Sequence, residues 1–312
     1  MKGSREEPFL FIVDYKIENC EVLSPAEAYI SNIFFNFNGI KNYFYEQVST
    51  LSVHIDKYPP SLPTYSKAFD YVKKQIARGN SYLVNLTFPS FIVTQATLSD
   101  IFYSARAKYR LYYKDRFVVY SPETFVKIKD RIISTYPMKG TIDASVEGAC
   151  EKLIQNEKEK AEHATIVDLL RNDLSKRASR VNVNSYRYID EIKSLDKKLL
   201  QVSSEIEGIL PRDYLSTLGD IIFDMLPAGS VTGAPKVKTL DIIKNAENYD
   251  RGFYTGVAGF FDGKELDSCV LIRYVEKNNG DLIYKSGGGI TSQSILEEEY
   301  QELIDKIYVP VS

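Results

Sequence analysis

Two stretches of this chain each place a pair of glutamates three residues apart: Glu159 and Glu162 in KEKAEHATIVDLLRNDL, and Glu299 and Glu302 in LEEEYQELIDK. On a helix that spacing puts both carboxylates on one face. Two such pairs can hold one Mg²⁺, which takes a few carboxylates, keeps some waters and accepts an anionic substrate. Charge count alone favours a solvated acidic face instead. A further reactive group is Lys139 in YPMKGT, set between a proline that stiffens the chain and a glycine that permits close approach. By itself it reads equally as an exposed turn lysine.

Three glycine-marked segments offer anion sites. In PAGSVTGAPK, Pro227 to Lys236, the backbone N–H groups of Thr232, Gly233 and Ala234 precede a helix start with Lys236 nearby, which suits a carboxylate or phosphate. The adjacent Gly-Lys-Ser/Thr of a Walker loop is missing. In KSGGGI, Gly287, Gly288 and Gly289 lie between a strand and the last helix, and the spacing predicts a backbone nest around an anion. RGFYTGVAG reads first as a hairpin. In CVLIRYV, Arg273 faces solvent or presents its fork to a carboxylate.

The elements that must carry these residues are legible as period-2 and period-3.6 patterns. Strands are expected at 9–13, 82–91, 111–113, 117–121, 124–129, 131–135 and 181–188, and again at 254–261, 268–275 and 282–286. Helices are expected at 65–78, 150–174, 215–226, 235–245 and 296–307. The segment 109–135 predicts an antiparallel meander, with YPMKGT as the loop leaving it. Strands followed by helices, twice over, give an α+β architecture of inner sheets and outer helices.

Composition narrows the function. The 312 residues are 44% hydrophobic and 26% charged, with a net charge of −3 spread without a basic stripe, so nucleic acid is not an expected partner. No apolar run suits a membrane span and no signal-peptide order opens the chain, so a cytoplasmic protein is expected. Three scattered cysteines and two histidines make a zinc site of ordinary ligands improbable, leaving oxygen donors for any metal.

Taken in order, SPETF, PMKGT, AEHATIVDLLRNDL, GSVTGAPK, RGFYTGVAGF, IRY, GGGI and EYQE resemble the motifs of the chorismate-utilising enzymes. The resemblance runs from Tyr82 to the C-terminus. It implies one chorismate-binding domain over 1–312, with a shortened N-terminal part (1–80) and a core (81–312), built as two facing, partly duplicated β-sheets flanked by helices. It assigns Mg²⁺ to Glu162 and Glu302, with Glu159 and Glu299 contributing directly or through water. It assigns the carboxylates of chorismate to Gly140, Thr141, Thr232, Gly233, Ala234, Lys236, Tyr254, Arg273 and Gly287 to Gly289. Glu123 is matched to the general acid/base at ring carbon 4. Lys139 stands where the aminodeoxychorismate synthases carry lysine and the anthranilate synthases alanine, implying covalent attack at carbon 2 and entry of ammonia at carbon 4. Such chemistry requires a neutral amine, favoured by burial and a neighbouring cation and opposed by Glu123. Ammonia is expected from a glutamine amidotransferase partner, and the product feeds 4-aminobenzoate and folate synthesis.

The chain departs from the family pattern in places. Leu200-Gln201-Val202-Ser203 replaces a common His-Leu-Val-Ser, Ala228 replaces a glycine, and Ile142 follows KGT where arginine is frequent. Ala105 to Tyr109, ARAKY, replaces a segment tied to tryptophan binding, so tryptophan inhibition is not expected. Competing readings are an isochorismate or salicylate synthase using water, an anthranilate synthase, and a non-catalytic chorismate-binding relative.

Overall fold

The computed structural model describes residues 7–44, 53–193 and 198–310. Two nine-stranded sheets form its centre, and every described pairing in them is antiparallel. One sheet runs Met138–Asp143, Lys198–Ile209, Ile132–Thr135, Thr124–Lys129, Leu266–Val270, Val257–Phe261, Phe9–Val13, Cys20–Leu23, with Ser179–Lys193 along the other side of Lys198–Ile209. The other runs Gly233–Ala234, Leu83–Val93, Asp281–Ile290, Tyr274–Asn278, Phe117–Ser121, Tyr109–Tyr113, Ile33–Phe37, Ile40–Lys41, with Asp56–Tyr58 also on Leu83–Val93.

The alternation of apolar residues makes the sheets face one another. Leu10, Ile12, Ala258 and Phe260 of the first pack against Phe35, Phe37, Leu111 and Phe117 of the second in one buried cluster. Helices cover the outer faces. Ile166, Val167, Leu170 and Leu174 of the helix Glu157–Ser175 join the core behind the first sheet. Leu303 of the helix Leu296–Asp305 and the stripe Tyr65, Phe69, Val72 and Ile76 of Leu62–Ala77 do the same behind the second.

The expected meander is in fact two hairpins in different sheets. Tyr109–Tyr113 pairs with Phe117–Ser121 in one, and Thr124–Lys129 with Ile132–Thr135 in the other. Pro122 and Glu123 carry the chain across. The expected strand 268–275 divides in the same way: Leu266–Val270 belongs to one sheet and Tyr274–Asn278 to the other, with Arg273 between them at φ +55°. The two crossings are bonded side by side, Val270 N–H to Glu123 O at 3.2 Å and Tyr120 N–H to Arg273 O at 3.1 Å.

Two further expectations are corrected. The single helix 150–174 is two, Ala149–Gln155 and Glu157–Ser175, divided at Asn156, whose Oδ1 accepts from Glu159 N at 3.1 Å and starts the second. YPMKGT is no loop: Met138–Asp143 is a strand of the first sheet, with a bulge at Gly140.

Candidate active site

A cleft of about 1000 Å³ opens between the sheets. Lys139 enters it from the first sheet. Lys139 pairs with Val202 and Thr141 with Gln201, so Gly140 is the extra residue of a bulge, and its φ of +68° is backbone that glycine adopts at no cost. Thr141 follows in the same strand, its side chain outside the described residues.

Opposite Lys139 lies the strand Asp281–Ile290. Gly287, Gly288 and Gly289 are not a nest but regular strand residues, paired with Thr87, Leu86 and Asn85. Their missing side chains are explained by what surrounds them. A Cβ on Gly287 would lie 2.3 Å from Leu86 O; one on Gly288, 3.4 Å from Glu302 Oε1; one on Gly289, 3.2 Å from Lys139 Nζ and 3.7 Å from Glu162 Oε2. The glycines make a bare floor on which carboxylates and an amine converge.

The helices Glu157–Ser175 and Leu296–Asp305 bring both glutamate pairs to this floor, and Glu159, Glu162, Glu299 and Glu302 all line the cleft. Glu162 and Glu299 are buried. Among the described residues no three His, Cys, Asp or Glu side chains stand close enough to hold a metal ion unaided. The cradle over Gly288 and Gly289, with its hard oxygen donors, nevertheless suits an ion that takes one or two carboxylates and completes its shell with water and substrate.

Lys139 Nζ lies 3.1 Å from Glu162 Oε2. Burial pulls its pKa down, but Glu162, Glu302 and Glu159 outweigh burial and hold the ammonium above its usual range. The opposition expected from Glu123 thus comes from the glutamate pairs. Glu123 lies deep in the cleft wall, where burial raises its pKa against the Ser230 hydroxyl, which donates to Oε1, and the cations Lys139, Arg273 and Lys306. Arg273 lines the cleft with its guanidinium 5.4 Å from the Tyr308 ring, and its buried Nε has no hydrogen-bond partner among the described residues. Tyr254 is buried in the adjoining wall.

Thr232, Gly233, Ala234 and Lys236 do not reach the cleft. Thr232 N–H is turned to Gly229 O at 3.2 Å, and Gly233, at φ +135°, presses so close to Leu83 O that a Cβ would lie 1.9 Å from it. Lys236 Nζ is bonded to Asp173 Oδ2 at 2.7 Å and Met225 O at 3.0 Å. From that loop Ser230 and Val231 line the cleft instead.

Sequence reasoning missed Ser230, Lys306 and Tyr308. Lys306 is bonded to Glu302 at 2.5 Å and to Gly287 O at 2.8 Å; burial lowers its pKa, opposed by Glu302. Its position four residues after Glu302 is the signal that would have found it. Gln201, from the segment Leu200-Gln201-Val202-Ser203, lines the cleft. Arg251 of RGFYTG is wholly structural: buried against Glu247, it donates to Val231 O at 2.9 Å and Asn85 O at 2.8 Å, bracing two walls.

Paired antiparallel sheets enclosing a cleft of opposed carboxylates and cations define an α+β enzyme class. The fold matches that of the menaquinone-specific isochorismate synthase of Escherichia coli with a TM-score of 0.74, at 16% identity over 96% of this chain and 77% of that one. The family model described as chorismate binding enzyme matches residues 14–312, and the chain belongs to that family of chorismate-utilising enzymes. It is 46% identical over 310 residues to a PabA-like protein of Pasteurella multocida, covering 99% of this chain and 96% of the relative. It is 32% identical over 259 residues to aminodeoxychorismate synthase component 1 of Bacillus subtilis, covering 78% of this chain and 54% of that protein.

Proposed function

We propose that this chain converts chorismate and ammonia to 4-amino-4-deoxychorismate, the reaction of an aminodeoxychorismate synthase component 1, with ammonia delivered by a glutamine amidotransferase subunit. One observation carries the reading: the only lysine of the motif PMKGT projects from a bulged strand into the centre of the cleft, among the carboxylates and facing the glycine floor. The similarity to the Bacillus subtilis enzyme supports it.

In this reading Arg273, with its unpaired Nε, and Lys306 orient the substrate carboxylates through charge-assisted hydrogen bonds. Glu162 and Glu302, with Glu159 and Glu299 beside them, would hold Mg²⁺, which when bound supplies positive charge for the anionic substrate. Once its ammonium has lost a proton to solvent, the Lys139 amine forms a bond to ring carbon 2, the ring double bonds shift toward carbon 4, and the bond from carbon 4 to its hydroxyl breaks. Glu123, kept protonated to higher pH by burial, gives its proton to that hydroxyl, which leaves as water. Ammonia then bonds to carbon 4, the double bonds shift back, the bond to Lys139 breaks to release its neutral amine, and the extra proton on the new amine returns to Glu123. The net change is hydroxyl for amine, with one water released.

The test is product identification from purified protein with chorismate, Mg²⁺ and ammonium chloride. The proposal requires 4-amino-4-deoxychorismate, seen as 4-aminobenzoate once a lyase is added. Anthranilate or isochorismate as the sole product contradicts it.

A further inference from the structure

Each of the two glutamates matched to the cation already carries an ammonium group of this chain. Lys139 Nζ lies 3.1 Å from Glu162 Oε2, and Lys306 Nζ lies 2.5 Å from Glu302 Oε1. Both lysine side chains are withdrawn from solvent, 25% and 27% exposed. Both pairs border the glycine floor, the first over Gly289 and the second over Gly288. Glu162, 6% exposed, is shut into the cleft and needs a compensating charge, so breaking its pair is costly, whereas Glu302 is 48% exposed and its pair is partly solvated. The lysines supply that charge in the protein alone.

A divalent ion that takes the same carboxylate oxygens meets two positive groups already placed on them. Two like charges a few ångströms apart repel strongly at the effective dielectric of a protein site. We propose that Lys139 and Lys306 are tethered counter-ions of the cation site, so that binding of the cation and release of the two amines into the cleft are one coupled event. This rests on the assignment of Glu162 and Glu302 as cation ligands in the proposed function. It gives the coupling a purpose: the amine of Lys139 becomes available to an electrophile only when the cation, and with it the anchored substrate, is in place. Lys306, still within reach of Gly287 O, is released on the side of Arg273.

The coupling is measured without turnover, using Mn²⁺ as the probe and electron paramagnetic resonance to count free ion at one fixed pH. Lys139→Met and Lys306→Met, each checked for cooperative melting, should each bind Mn²⁺ about tenfold more tightly than the parent protein, from removal of one nearby positive charge. Lys139→Arg, which keeps the charge, should bind within about twofold of the parent. Equal or weaker binding by the methionine variants, or an equal gain in the arginine variant, overturns the coupling. Absence of Mn²⁺ binding by all four proteins overturns the glutamate assignment and the coupling with it. A second measurement needs no variant: acetic anhydride labelling of Lys139, mapped by peptide mass, should rise several-fold when Mn²⁺ is added. An unchanged or reduced rate overturns the proposal.

Discussion

Lys236 Nζ and Asp173 Oδ2, 2.7 Å apart, join the first turn of the helix Lys236–Ala246 to the last turn of Glu157–Ser175. The carboxylate is 5% exposed and is also bonded by Lys176 at 2.9 Å. This contact ties Lys236 to the helix that carries Glu159 and Glu162 and holds it outside the lining of the cleft. Lys236→Ala should therefore lower unfolding free energy by about 1–3 kcal/mol, the cost of an under-satisfied buried carboxylate, and leave KM for chorismate unchanged. Denaturant titration and steady-state kinetics check the two halves separately. A rise in KM in a stably folded variant would return Lys236 to the binding site.

Glu123 should set a limb of the pH profile. Burial raises its pKa, while the Ser230 hydroxyl favours the ionised form and lowers it. An acid is active when protonated, so kcat should fall as pH rises through the raised value. Ser230→Ala removes the bond that favours the carboxylate and should move this limb to higher pH by about one unit. Glu123→Gln should cost about 10²–10⁴ in kcat. A limb that moves to lower pH in Ser230→Ala contradicts the role of Glu123.

Tyr308 holds Arg273 by its ring face, while its carbonyl accepts the Tyr120 and Tyr284 hydroxyls at 2.9 and 3.3 Å. The phenolic oxygen also engages the Arg273 guanidinium and favours its charged form. A cation–π contact of about 0.5–2 kcal/mol corresponds to a rise of about 3- to 30-fold in KM for Tyr308→Ala. Tyr308→Phe keeps the ring and loses only the hydroxyl, so it should raise KM less than alanine does, and a defect as large as that of alanine would show that the hydroxyl, not the ring, is what matters.

His163 should give the fold an acid-sensitive step. Its ring is buried with Nε2 2.6 Å from Ser204 Oγ, and burial first, then Arg187 and Lys139, lower its pKa from 6.5 to about 4. Because the folded value is depressed, the unfolded chain takes up the proton first as pH falls, and stability is lost between these two values. Unfolding free energy of the parent should drop by about 2 kcal/mol more than that of His163→Gln between about pH 7 and pH 4.5. Parallel losses in the two proteins would place the titration elsewhere.

The sequence carried the chemistry better than the geometry. Glutamates three apart on apolar-striped helices announced themselves, because local periodicity alone sets which face a side chain occupies. The run Gly287 to Gly289 did not: its three glycines meet a neighbouring strand, a glutamate pair and a lysine from distant segments, and no local pattern separates such a strand from a nest. The division at Arg273 was hidden for the same reason, since CVLIRYV alternates like one strand although its halves lie in different sheets. The strand Lys198–Ile209, central to one sheet, also escaped notice; several of its residues are polar because part of its surface is only half-buried. Tyr308 lies beyond the last expected motif and reaches the cleft only because the tail folds back under Arg273.

The central claim, that Lys139 is the nucleophile, is tested most directly by intact-protein and peptide mass spectrometry after mixing with chorismate and Mg²⁺ in the absence of ammonia. The predicted result is an adduct equal to chorismate less one water, located on the peptide containing Lys139, absent from Lys139→Ala and discharged on addition of ammonium. Formation of 4-amino-4-deoxychorismate by Lys139→Ala at the parent rate, with no adduct in either protein, would contradict it.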